Sequence, residues 1–253
     1  MVMFLIIKNI FKIHPFFYIF MFICFITGNI RDFLVFISII IVHELGHIVG
    51  GVIFSWKIDR VILLPFGGLT IFNCFINTSL VEQFIVTLMG PLFQIVFYFI
   101  ISQFFSLSDS VIYYNYVLLV FNLLPIYPLD GSKFLYVFLC FLFPFKFSHL
   151  LLCFFSFIFI IIVFIFIGHF DFLVFLILFF LCFKVITEVR NHRIIFNKFL
   201  FERYNYNFCF RFIKRVNSID GMYLWCRHLF YDGEKCITER EKLLKMFDNH
   251  YKL

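Results

Sequence analysis

Residues 33–54 read FLVFISIIIVHELGHIVGGVIF, an apolar run interrupted by Ser38, three glycines, and the cluster His43, Glu44 and His47. The run meets the ~17–25 residues that a helix needs to cross a hydrocarbon core about 30 Å thick. Backbone polar groups in lipid must be satisfied within the segment, so the stretch predicts a membrane-spanning α-helix. On such a helix positions i and i+4 share a face, so His43 and His47 can present imidazole nitrogens to one metal ion. Glu44 sits about 100° round the helix from His43, where it can take a proton from an attacking water and later return it to a leaving amine. A carboxylate near mid-membrane costs at least ~2.5–3.5 kcal/mol on insertion scales, so its presence there demands a partner or a function.

The rest of the chain agrees with a membrane setting. Of 253 residues, 63% are hydrophobic and 14% charged, with a mean hydropathy of +1.02; soluble domains carry roughly 25% charged residues. The 46 phenylalanines read as compositional bias, not as a binding signature. Apolar segments at about 10–28, 33–54, 82–104, 111–124, 149–168 and 170–187 predict an all-α polytopic membrane protein of six transmembrane helices, with a short cytoplasmic C-terminal tail. Lys8 and Lys12 precede the first segment and no small-x-small cleavage site follows it, so it is expected to be a retained span. The stretch 134–147 holds Pro144 and Lys146 and is expected to be an interfacial connection. The eight cysteines form no C-x-x-C pair and are expected to be buried thiols.

Cations follow this topology. Lys8, Lys12, Lys57, Arg60, Lys133 and Lys146 fall in loops on one side and only Arg31 on the other, which predicts cytoplasmic termini. The net charge of +6 is therefore not the footprint of direct nucleic-acid binding; the lipid bilayer is the partner it implies. The expected division is a six-span membrane domain over 1–187 and a basic cytoplasmic tail over 188–253. The tail has thirteen further cations and ends in a charged helix over about 238–251.

Catalytic zinc takes three protein ligands and keeps one position open, and two His with one carboxylate suit it. Asp32, Asp59, Asp109 and Asp171 fall in expected loops, Glu82 opens the third span, and Glu188 onward belongs to the tail. Asp130 remains, with His14 as its rival. It lies in Asn122-Leu-Leu-Pro-Ile-Tyr-Pro-Leu-Asp130-Gly131, where two prolines and a glycine unwind the chain. Arg60–Phe72, around Pro65-Phe66-Gly67-Gly68, predicts a hairpin or re-entrant loop after the second span. Its strand edge would hold extended substrate by main-chain hydrogen bonds, and Asn122 would orient substrate carbonyls. A membrane metal-ion transporter would need ligands spread along a path, and an inactive protease-like scaffold would not keep all four positions intact.

His43-Glu-Leu-Gly-His47 followed by Asn122 and Pro128-Leu-Asp130-Gly131 resembles the site-2 intramembrane metalloproteases. Ser55-Trp-Lys-Ile58, Leu63-Leu-Pro-Phe-Gly-Gly68, Gly90-Pro91 and Glu202-Arg-Tyr204 are similar to the sporulation members of that family. The resemblance implies one zinc ion per chain held by His43, His47 and Asp130, with Glu44 as the catalytic carboxylate. It also implies cleavage of a pro-sigma-K-like substrate in the mother-cell membrane surrounding the forespore. Two inhibitory membrane proteins are implied as partners, stage IV sporulation protein FA and bypass-of-forespore protein A. Those members carry a cystathionine-synthase-type (CBS-like) regulatory domain; the tail here predicts a shortened one, with ATP sensing weak or absent.

Overall fold

The computed structural model describes residues 11–64, 67–104, 108–167, 172–232 and 235–250. The chain forms two compact units, one of Met1–Cys74 with Phe84–Leu124, the other of Phe75–Gln83 with Pro125–Leu253.

The first unit opens with strand β1 (Phe11–Ile13) and helix α1 (Pro15–Ile26). Pro15 suits a first helical turn, where its missing N–H has no partner to lose. The helix ends in a Schellman motif: Asn29 N–H reaches Cys24 O (2.9 Å) and Gly28 N–H reaches Phe25 O (3.2 Å). Gly28 adopts φ +74° there, a left-handed conformation that glycine enters without a Cβ penalty. Helix α2 (Ile30–Ile53) follows, then strands β2 (Lys57–Leu64) and β3 (Gly67–Asn73). These strands pair antiparallel with a register shift between Ile58 and Arg60, and β1 adds parallel to β2, giving the order β1-β2-β3. Helices α3 (Leu80–Phe104) and α4 (Asp109–Asn122) complete the unit, apart from the first residues of α3. Pro91 sits inside α3 without ending it. Ile39 and Ile40 of α2 pack with Leu118 of α4 and Leu63 of β2 in a small apolar core.

The second unit contains helices α5 (Asp130–Leu142), α6 (Phe145–Ile167) and α7 (Phe172–Asn205). Beyond them come β4 (Ile213–Val216), a 3-10 turn (Ile219–Gly221), β5 (Arg227–Asp232), β6 (Lys235–Thr238) and helix α8 (Glu239–His250). The sheet runs β4-β5-β6, parallel then antiparallel. Phe145, Phe199, Leu200, Met222, Phe230 and Leu243 form its core. Arg203 on α7 ties the tail down: it donates to Asn77 Oδ1 (2.7 Å), to Tyr223 O and Leu224 O (both 2.8 Å), and to Glu239 Oε1 (3.1 Å). Glu239 Oε2 also accepts from His228 N–H (2.8 Å) and faces His228 Nδ1 (3.0 Å), while Tyr223 N–H donates to His228 Nε2 (2.9 Å).

The molecule is mostly helical, but the all-α expectation needs correction, because two three-stranded sheets accompany the helices. Short Ile/Phe runs cannot be assigned to helix or strand by periodicity alone; the partner decides, and Phe11–Ile13 finds one in Val61–Leu63. Among the described residues, three helices are long and apolar enough to cross a membrane: Ile30–Ile53, Leu80–Phe104 and Phe145–Phe166. The segments expected at 10–28 and 111–124 give helices of 12 and 14 residues. The last expected span, described from residue 172 on, falls in α7, a 34-residue helix that continues well past 187. Neither glycine nor proline occurs between 172 and 205 to stop it. The stretch expected as a connection is the greater part of α5, closed at Phe143-Pro144, after which α6 begins at Phe145.

Candidate active site

His43, Glu44 and His47 lie on successive turns of α2 and are almost completely buried, at 2%, 4% and 3% exposure. The imidazole rings stand 4.9 Å apart between centroids. Each ring is anchored through Nδ1. His43 Nδ1 meets Gln94 Oε1 at 2.9 Å and His47 Nδ1 meets the Val86 carbonyl at 2.9 Å. The Gln94 amide is itself oriented, since its Nε2 donates to Asn115 O (2.9 Å) and Asn115 Oδ1 (3.1 Å). Each Nδ1 thus faces an acceptor oxygen to which an Nδ1–H can donate. The two Nε2 atoms turn towards each other and are 3.2 Å apart. The pair fits zinc, whose imidazole ligands donate their other ring N–H to a carbonyl or carboxylate oxygen.

Glu44 faces the hairpin. The Thr70 hydroxyl of β3 donates to Glu44 Oε2 at 2.6 Å. Gly68, two residues earlier on the same strand face, lies flat against the Glu44 side chain; a Cβ there would stand 2.5 Å from Glu44 Cδ. Gly90 in α3 gives His47 its room in the same way, since a Cβ on it would overlap the imidazole. Glycine is required at both positions because backbone comes within contact of a functional side chain.

The remaining residues singled out from sequence divide by location. Asn122 is the last residue of α4 and buried, and a Cβ on Gly67 would lie 3.9 Å from its Oδ1, so Asn122 and the start of β3 are neighbours. Pro65 and Phe66 lie outside the described residues. Asp130 belongs to the second unit, where it opens α5, is buried, and accepts from Lys133 Nζ at 2.8 Å. His14, its rival, stands between β1 and α1, with its backbone N–H on Leu63 O. Thr70 and Gln94 were not singled out from sequence. Gln94 carried a readable signal, being a polar residue in the middle of an apolar span, the kind that marks a functional neighbour in lipid. Thr70 carried none, because threonine is ordinary in a strand.

Residues 32–110 match the family model Peptidase family M50. Over 140 residues, 53% of this chain, the sequence is 38% identical to stage IV sporulation protein FB of Bacillus subtilis, covering 49% of that protein. A zinc metalloprotease of Methanocaldococcus jannaschii is 30% identical over 112 residues, which is 40% of this chain and 32% of that one. The chain thus spans about half or less of the curated relatives it matches. The site-2 protease structure from Methanocaldococcus jannaschii superposes with a TM-score of 0.57 at 22% identity, over 70% of this chain and 89% of that one, which is a likeness of fold. With three helices apolar and long enough to cross a membrane, this chain is an integral membrane protein with the fold of a site-2 protease, and its residues 32–110 match Peptidase family M50.

Proposed function

We propose that the protein is an intramembrane zinc metalloprotease that hydrolyses a peptide bond in a membrane-associated regulatory protein. The observation that carries this reading is the pair of buried imidazoles with Nε2 atoms 3.2 Å apart, and a buried carboxylate on the residue next to one of them. In this reading His43 and His47 are ligands and Asp130 is the third. Asp130 is supported by its burial at the start of α5 and by the Pro128-Leu-Asp130-Gly131 resemblance. Zinc, when bound, supplies a Lewis acid for the scissile carbonyl. Glu44 takes the proton of the attacking water and passes it to the leaving amine nitrogen. Thr70 holds one carboxylate oxygen, which leaves the other for proton transfer. Gln94 and the Val86 carbonyl keep both imidazoles turned Nε2-inward.

The proposed substrate path is the outer strand of the hairpin. An extended peptide would add to β3 by main-chain hydrogen bonds, passing Pro65, Phe66, Gly67 and Gly68, with Asn122 orienting its carbonyl groups. Support comes from β3 ending the order β1-β2-β3 and from Gly68 resting on Glu44.

Similarity to the sporulation relative suggests pro-sigma-K as substrate, and stage IV sporulation protein FA and bypass-of-forespore protein A as inhibitory partners, in the mother-cell membrane. Six spans with cytoplasmic termini, a membrane domain over 1–187 and a basic cytoplasmic tail over 188–253 belong to the same proposal, supported by the cation distribution. Co-expression with a pro-sigma-K-like substrate tests the reading. Wild type should yield the shortened product and Glu44→Gln should not, while still inserting and still binding zinc. Full processing by Glu44→Gln would refute it.

A further inference from the structure

The C-terminal unit carries a surface that peptide hydrolysis does not use. It lies where α6 enters its apolar segment, Phe145–Phe166. Phe145 N–H donates to Met222 O at 2.8 Å, and Lys146 Nζ bonds Asp220 Oδ2 at 2.6 Å. The connection between β4 and β5 is thus fastened to the amino end of a helix long and apolar enough to cross a membrane, where a spanning helix would leave hydrocarbon for the head groups.

Near that junction a group of rings gathers around Trp225. Its Nε1–H donates to Phe141 O at 3.1 Å, and its ring lies 5.8 Å from Phe141, 5.8 Å from Phe212 and 6.2 Å from Tyr223. Cations flank the group: Arg211 sits 5.7 Å from the Phe212 ring and Lys214 3.6 Å from the Tyr223 ring. Phe141 and Phe212 are nonetheless 59% and 56% exposed, and Arg211 and Lys214 are exposed beside them. Water would leave the two phenyl rings unburied, and an apolar partner would strip the two cations of solvent. A layer that is apolar below and anionic above satisfies both. Tryptophan and tyrosine favour that layer because an apolar body carries a polar tip, and Lys and Arg near it are drawn to acidic head groups.

We propose that Phe141, Phe212, Tyr223 and Trp225, with Arg211 and Lys214, form an interfacial anchor that beds the tail in the head-group layer of an anionic membrane. The inference rests on the protein being integral to a membrane and is independent of the peptidase reading.

The test uses depth-dependent quenching. The chain has two tryptophans, so Trp56→Phe in the full-length protein leaves Trp225 as the reporter. The protein is placed in nanodiscs of phosphatidylcholine alone or mixed with phosphatidylglycerol, with bromine on the upper acyl carbons. Trp225 emission should be quenched, more strongly in the anionic discs, and the anionic excess should be lost in Arg211→Glu/Lys214→Glu. High salt should remove the same excess in the Trp56→Phe reporter, which keeps the test open if the double variant does not fold. Emission unquenched in both discs would overturn the proposal and mark the patch as facing water or another protein. Equal quenching in neutral and anionic discs would also overturn it, since the cations would then have no lipid partner.

Discussion

The Thr70 hydroxyl donates a 2.6 Å hydrogen bond to Glu44 Oε2, joining the hairpin to the carboxylate of the His-Glu-x-x-His helix across 26 residues of sequence. Thr70 is buried, so no water replaces the bond when it is removed. Thr70→Val keeps the shape and deletes the donor. A hydrogen bond to a charged group contributes about 1.5–3 kcal/mol, so kcat should fall roughly tenfold or more with KM little changed. Thr70→Ser should recover most of the loss. Steady-state cleavage of a peptide substrate in detergent separates the two parameters.

The two close-contact glycines should fail in different ways. Gly68→Ala pushes on Glu44 and should abolish cleavage while zinc content, measured by atomic emission, stays near one per chain. Gly90→Ala pushes on the His47 imidazole and should lower zinc content together with activity. The same defect from both substitutions would argue against separate roles for the two faces.

Gln94 accepts from the His43 ring and is itself fully buried. Removing such an outer partner typically costs 10–100-fold in metal affinity. Gln94→Leu should therefore weaken zinc binding by about that factor in a competition titration with a chelator, and excess zinc should restore part of the cleavage.

The Arg203–Glu239–His228 network should make the tail sensitive to acid. Burial opposes the charge on Glu239, but the His228 hydrogen bond and the Arg203 guanidinium outweigh it, and the carboxyl sits below its ordinary 4.5. Burial chiefly holds His228 below its ordinary 6.5, only partly offset by the Glu239 hydrogen bond. Both groups bind protons more readily unfolded, so the stability they contribute is present at neutral pH and shrinks as pH falls. The loss begins near 6.5 through His228 and grows below 4.5 through Glu239. Hydrogen exchange of β5 and α8 should accelerate over that range. Glu239→Gln leaves Arg203 buried with a weakened partner and should destabilise the tail by up to about 3–5 kcal/mol.

Much of the site was legible in residues 33–54, because helical spacing and the cost of a carboxylate in lipid are local properties. The sequence by itself determined which turn of which helix carries His43, Glu44 and His47, and that this helix can cross a membrane. The hairpin was also readable from Gly67-Gly68 between two aliphatic runs, whereas β1 was not, since an isolated Phe-Lys-Ile segment becomes a strand only when Val61–Leu63 offers an edge. Tertiary structure alone decided which nitrogen of each imidazole is anchored, because that depends on Gln94 and the Val86 carbonyl, 51 and 39 residues away. It likewise decided that Thr70 meets Glu44, and that Arg203 closes on Glu239 and not on a nearer acid. A hydrogen bond's partner is chosen by direction and distance in the folded chain, and neither is a property of spacing along it.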